Sequence, residues 1–334
     1  MISEMKIIAG RKKFSAVIIV MLISALLLQG CGLLKPTAAS LTAKMLKELQ
    51  KVNSAEVNTK IDSVIGVKVK SIDVGMEMNL GIDNKAEMTK DPERTKENNT
   101  LSVSGFGQNV NINYEQYTEK AEDGSKITYV RTEGTPWRKS TEQKQSSEDA
   151  SGDGSADTGS ADTGSGKKPS AFEMIGLLQK AGDTLKDAEL KQELVEINGK
   201  QAYQINASVG GNLVKELISQ SNAGSGEKAI DFESIDWDSI SIPTELYIYK
   251  ESSLPARIKM DCAQLGGEIL GNVIAEKTEN TMLEGVDFEF KTFDVDITID
   301  RYDEIGEIEI PAEALEAEEA GSVEELVPNL SNLF

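Results

Sequence analysis

VNTKIDSVIGVKV (residues 57–69), followed by IDVGMEMNLGI (72–82), decides the fold class. In the first segment Val57, Thr59, Ile61, Ser63, Ile65, Val67 and Val69 share one side, with Lys60, Asp62, Lys68 and Lys70 on the other. In the second, Ile72, Val74, Met76, Met78, Leu80 and Ile82 alternate with Asp73, Gly75, Glu77, Asn79 and Gly81. A period of two over this length means strands with one buried and one solvated face, as in antiparallel sheets. The apolar phase changes from odd to even between Val69 and Ile72. That change requires a turn or bulge, because a one-residue slip would invert every side chain.

The pattern extends in both directions. Asp91-Pro92 marks a loop, and Leu101/Val103 pair with Val110/Ile112/Tyr114 through Gly105-Phe106-Gly107. Tyr117, Ile127–Val130 and Trp137–Lys139 continue the sheet. In the second half, Leu194–Ile197 and Tyr203, Ile205, Ala207 and Val209 flank Asn198-Gly199, a dipeptide suited to a type I′ hairpin turn. Leu246 and Ile248 alternate with Tyr247 and Tyr249; Ile258, Met260 and Cys262 lie opposite Arg257, Lys259 and Asp261, which places Cys262 in the core. Phe288 and Phe290 are even, whereas Phe293, Val295, Ile297 and Ile299 are odd. A bulge at Lys291-Thr292 keeps both sets on one face and bends the strand. Asp294, Asp296 and Asp300 then fall on the solvated face, which explains them without a metal.

Helix signals are fewer. Ser40 can cap a helix whose stripe is Leu41, Met45, Leu49 and Val52. Ser170-Ala171-Phe172-Glu173 is a capping box before Met174, Leu177, Leu178, Ala181, Leu185 and Ala188. Asn212 opens a short helix, and Leu265–Ile274, with Gly266, Gly267 and Gly271, reads as a connecting one. Residues 141–169 are mostly Ser, Gly, Asp, Thr and Ala, with GSADT twice, and read as a flexible insertion without calcium-loop spacing. Residues 223–242 read as an acidic loop and Pro311–Glu325 as an exposed acidic segment. The expected class is α+β: a curved antiparallel sheet, an incomplete β-barrel, wrapped over helices. One domain spans 40–315, interrupted at 141–169 and followed by an acidic tail, 316–334.

The N-terminus supplies an address. Lys6, Arg11, Lys12 and Lys13 precede fourteen uncharged residues, Ser15–Leu28, too few for a membrane-spanning helix. Leu28-Gln29-Gly30-Cys31 then resembles the lipobox of bacterial lipoproteins. The resemblance implies cleavage between Gly30 and Cys31, diacylglyceryl attachment to the Cys31 thiol, and a short tether, 31–39. Two acyl chains hold a protein stably where one is marginal. The expected location is the extracytoplasmic face of the cell membrane.

Composition narrows the chemistry. Residues 1–30 carry four bases and one acid, so their removal leaves 304 residues and moves the net charge from −21 to −24. No basic stripe exists to displace counterions, which excludes nucleic acid as a main partner. There are no histidines, which removes histidine-based nucleophile pairs and histidine-ligated zinc. With Cys31 lipidated, Cys262 has no disulfide partner. No catalytic residue, metal ligand or cofactor site stands out.

The order of elements, with Glu115-Gln116-Tyr117, Trp137-Arg138-Lys139, Asn198-Gly199-Lys200-Gln201-Ala202-Tyr203, Leu246–Lys250 with Leu254-Pro255-Ala256-Arg257, and Ile308-Glu309-Ile310-Pro311, resembles the LolA-like fold of LppX/LprG-type cell-envelope lipoproteins. Within that group it is similar to Gram-positive lipoproteins of undefined function. The resemblance implies a sheet enclosing an apolar cavity that takes acyl chains, with Met76, Met78, Leu80 and Met260 (and Met88) as pliable lining. Two non-enzymatic readings follow: a membrane-anchored binder or carrier of a lipid or other hydrophobic ligand, or an envelope interaction or sensory module with a filled core. The sequence names no protein partner for either.

Overall fold

The structure, a computed structural model, describes residues 36–69, 74–105, 107–142, 188–222, 234–278 and 286–320. The lipobox with Gly30 and Cys31, most of the 141–169 insertion and nearly all of the predicted 170–188 helix lie outside the described residues. Helix α1 (Ala38–Leu49) leads into the long hairpins β1 (Ser54–Val69), β2 (Val74–Lys90), β3 (Glu93–Gly105), β4 (Gln108–Lys120), β5 (Lys126–Thr132) and β6 (Arg138–Glu142). After residue 188 come β7 (Glu189–Leu190), β8 (Val195–Ile197), β9 (Lys200–Gly210), α2 (Gly211–Asn222), β10 (Ser241–Tyr249) and β11 (Pro255–Asp261). Helix α3 (Ala263–Thr278), β12 (Val286–Asp300), α4 (Ala312–Leu315) and β13 (Glu318–Glu319) complete the described chain.

All the described strands join one open, curved sheet in the order β13-β6-β5-β4-β3-β2-β1-β12-β11-β10-β9-β7, with β8 on β9. Pairing is antiparallel except between β13 and β6. β1 and β2 pair as a hairpin, Val69 with Val74, and the turn or bulge expected between Val69 and Ile72 falls in residues 70–73, outside the described ones. Asn198 and Gly199 both adopt positive φ, 51° and 74°, as a type I′ turn requires. In the β1–β12 ladder Val64 pairs with Thr292 but Ile65 with Phe290, so Lys291 is the extra residue of the expected bulge. Phe290 and Phe293 thereby share a face and stack at 5.5 Å.

One face, called inner here, carries the main core. Ala38, Leu41 and Met45 of α1 pack on Ile205, Leu246, Ile248 and Ile258, while Leu49 and Val52 cover Ala55, Ala86, Met88 and Ile299. Thr37, rather than Ser40, caps α1; Ser40 closes the reciprocal capping box from the third helical position, so the helix starts earlier than the stripe suggested. Helix α3 lies on the Phe290–Phe293 pair through Gly266, where a Cβ would sit 2.8 Å from Phe293 Cδ1.

Several expectations about loops are corrected. Thr141 and Glu142 belong to β6, not to the insertion. Residues 234–242 are not merely acidic loop: Ile235, Trp237, Ile240 and Ile242 are buried with Cys262 and Leu265. The segment after Pro311 is not uniformly exposed either. Ala314 and Ala317 pack with Ile308, Tyr117, Tyr129 and Trp137 on the outer face, and Glu318–Glu319 adds a strand beyond the expected boundary at 315. Small alanines at every third residue let this strap lie close to the aromatic side chains.

Gly211 is fixed by contact. A Cβ there would lie 2.4 Å from the Trp237 carbonyl oxygen and 2.8 Å from Ile240 Cβ. The Gly211 N–H donates to the Ile240 carbonyl at 3.0 Å, so the backbone cannot retreat without losing that bond. Gly211→Ala is expected to lower stability by about 1–3 kcal/mol in urea unfolding. An unchanged midpoint would show that this junction is loose.

Candidate functional site

Cross-strand pairing arranges the inner face of β1–β4 into rows. Ile61, Ile82, Leu101 and Ile112 form one; Ser63, Leu80, Val103 and Val110 the next; Ile65 with Met78 and Val67 with Met76 continue it. Ile65, Val67 and Ile112 are buried, whereas Ile61, Met76, Met78, Leu80, Ile82, Leu101, Val103 and Val110 are half-buried. Among the described residues, none of these side chains joins the clusters gathered under α1, α2 and α3. From the Ile61 row to the Val67 row the surface runs six residues along a strand, or roughly 20 Å. It carries no charged side chain.

Met76, Met78 and Leu80 thus lie together on this surface. Met260 shares their face but sits three strands away on β11, packed against Ile258 and Leu246 on one side and Cys262 and Val295 on the other. Met88 is buried under Leu49 and Val52. The structure therefore brings Met76, Met78 and Leu80 together and places Met260, also half-buried, apart from them.

Directly beside the apolar rows is a polar one that the hydrophobic pattern did not reveal. Thr59, Asn84, Asn99, Tyr114 and Thr132 are successive cross-strand partners. The next row contributes Val57, Ala86, Glu97, Gln116 and Val130. Asn84 Nδ2 donates to Asn99 Oδ1 at 2.6 Å and to Glu97 Oε2 at 3.3 Å. Asn99 is 6% exposed, and its Nδ2 reaches no acceptor at hydrogen-bonding geometry. Burial pushes the Glu97 carboxyl above its ordinary 4.5; the nearby amides of Asn99 and Asn84 and the Lys126 ammonium oppose that rise without cancelling it. Tyr114 is raised by its own burial and then by the Glu97 charge. Extending the phase of Ile82 and Leu101 through the polar residues between them would have found this row.

Because its folded pKa is raised, Glu97 contributes stability at low pH that is lost as the pH climbs past 4.5 through the folded value. Glu97→Gln is therefore expected to unfold at higher temperature than the parent near neutral pH. The advantage should vanish below the ordinary carboxylate range. Thermal unfolding of both proteins across that range checks it; a pH-independent difference would contradict it.

The outer face differs in kind. It holds ion pairs such as Lys85 and Arg301 with Glu56, at 3.1 and 2.9 Å. Burial alone would raise the Glu56 carboxyl, but hydrogen bonds from Asn58, Arg301 and Lys85 hold it below its ordinary value. Two open depressions lie there. One, about 770 Å3, is lined by Asp83, Lys85, Asn98, Asn113 and Arg131; the other, about 460 Å3, by Lys60, Asp62, Lys259, Asp294 and Asp296. Both mix the two signs of charge on solvated strand positions. Cys262 is buried, and desolvation pushes its thiol up to about 11, which suits packing and not nucleophilic work. No group of three or more metal-ligating side chains occurs among the described residues.

No protein-family profile matches the sequence, and no curated protein matches it. Among solved structures, the chain is similar to LprF from Mycobacterium bovis at a TM-score of 0.37 and 10% identity, covering 84% of this chain and 98% of that one. It is also similar to a DUF1329 family protein from Desulfovibrio piger ATCC 29098 at a TM-score of 0.18 and 11% identity, covering 81% and 93%. At these scores the fold and the site stand on the chain's own geometry.

Proposed function

We propose that this chain is a membrane-anchored lipoprotein that binds or carries a lipid or similar hydrophobic ligand on the inner face of β1–β4, outside the cytoplasm and without catalysis. The observation that supports the reading is the contiguous, charge-free apolar surface of half-buried side chains, set apart from the clusters that pack under the helices. Its length of roughly 20 Å exceeds the ~15 Å depth of one membrane leaflet's hydrocarbon, so an extended acyl chain fits along it. Each methylene taken from water contributes about 0.8 kcal/mol. A seated chain of ten therefore gains about 8 kcal/mol, comparable with the ~4–15 kcal/mol lost on association. Cys31 would supply the anchor, since a body of net charge −24 is repelled by anionic headgroups.

Titration of the soluble Cys31→Ser chain with an environment-sensitive fluorescent fatty acid tests the binding. Saturable binding with displacement by unlabelled lipid is expected. A linear, non-saturating signal would leave the face a packed structural surface, as in an envelope interaction module. In cells, Cys31→Ser should shift the protein from the membrane fraction to the soluble one; continued membrane retention would remove the anchor from the account.

A further inference from the structure

We propose that the row of Asn84, Asn99 and Tyr114, with Glu97 beside it, is the head-group end of the inner-face surface, and that it selects an amphiphile with an uncharged, hydroxyl-bearing head over an anionic phospholipid. The inference rests on the lipid-binding reading above and adds what that reading leaves open, the chemistry of the head. Placement is the first ground. Asn84 and Asn99 follow Ile82 and precede Leu101 on the same strands and the same face, so the polar and apolar rows are about 7 Å apart. A molecule lying along the strands passes from one row to the next without a break.

The donor and acceptor inventory is the second. A hydroxyl both donates and accepts, and this row offers a partner for each: the Glu97 carboxyl accepts, while the Asn99 amide donates. Asn99 Nδ2 is already out of water and makes no bond of full hydrogen-bonding geometry, although it lies close enough to Glu97 to favour the carboxylate, so an oxygen delivered beside it completes a hydrogen bond without a new desolvation cost. Charge is the third. Of the bases in the same phase, Lys90 and Lys120 lie at the strand ends beside Glu93, with Lys120 paired to it at 3.1 Å, and Arg138 is paired with Glu318 at 3.3 Å; Lys126, also at a strand end, acts on Glu97 through its charge and forms no ion pair with it. A phosphate placed at the row would meet the Glu97 carboxylate, which has no ion pair among the described residues, at low dielectric, where like charges repel strongly.

A matched series of dodecyl amphiphiles below their micelle concentrations tests this on the Cys31→Ser chain: dodecyl glucoside, dodecyl phosphate and dodecyltrimethylammonium. Isothermal titration should show the glucoside binding at least about tenfold tighter than the phosphate. Asn99→Leu, which keeps the volume and removes the unpaired donor, should weaken the glucoside about tenfold and leave the phosphate unchanged. Equal binding of all three heads, or a ratio that Asn99→Leu leaves untouched, overturns the head-group assignment while the lipid reading stands. Tighter binding of the ammonium than of the glucoside also overturns it, since Glu97 would then act as a charge alone. Binding of none of the three overturns both.

Discussion

Trp137→Ala should cost about 3–5 kcal/mol and loosen the C-terminal strap, whose Ala320 packs on Val130 beside Tyr114. Trp137 is 5% exposed, meets the Tyr117 ring edge-on at 5.7 Å and lies under the Arg131 guanidinium at 4.7 Å. Around it sit Tyr129, Ile308, Ala314 and Ala317, so one indole joins β4, β5 and the strap. Truncation leaves a cavity that these rigid strands cannot close, and it removes the cation–π contact as well. Domains are stable by only ~5–15 kcal/mol, so the loss is a large share of the total. Denaturant unfolding measures the loss, and amide exchange should show residues 303–320 opening first. A change below about 1 kcal/mol, or protection of the strap equal to that of the parent, would contradict the role given to Trp137.

The second large effect concerns binding and spares the fold. Leu80 and Val103 are directly paired across β2 and β3 on the inner face, and both are half-buried. Leu80→Glu with Val103→Glu puts two carboxylates in the middle of the apolar rows. Seating a hydrocarbon there would strip water from both charges, a penalty of about 3 kcal/mol or more. Affinity for a fluorescent fatty acid should fall by at least about a hundredfold. Because both positions keep access to water when empty, the far-UV circular dichroism should be that of the parent. Binding within about threefold of the parent would place the ligand elsewhere or nowhere.

How far the sequence could be read depended on which signal each element carries. The Asn198-Gly199 turn and the bulge at Lys291 were legible because each is enforced locally, by positive φ in one case and by a change of apolar phase in the other. Trp237 and the strap were misread because their neighbours are acidic. Asp236 and Asp238 flank Trp237, and acids separate Ala314, Ala317 and Ala320, yet the small or aromatic residue is the one that turns inward. The observed cap of α1 lies three residues before Ser40 because Thr37 and Ser40 are both capping residues, and only the reciprocal bonds distinguish cap from third position.

Half of the candidate site was visible and half was hidden, for one reason. Met76, Met78 and Leu80 announce themselves by alternation. Asn84, Glu97, Asn99 and Tyr114 occupy the same phase of the same ladder but interrupt the hydrophobic pattern, so they pass for surface. Met260 shares the phase but lies three strands away, half-buried against the clusters under α1 and α3. Phase identifies a face; the packing of helices decides which part of that face is left for a ligand.

On the proposed function, the inner face of β1–β4 holds an amphiphile. Native mass spectrometry of the Cys31→Ser chain, purified without detergent from lipid-containing cells, tests it most directly, with organic extraction to identify what is bound. An adduct of one amphiphile per chain is expected, present in the parent and absent from the Leu80→Glu, Val103→Glu variant. A parent that flies repeatedly as bare protein and yields no lipid on extraction, or a variant that retains the same adduct, would contradict it.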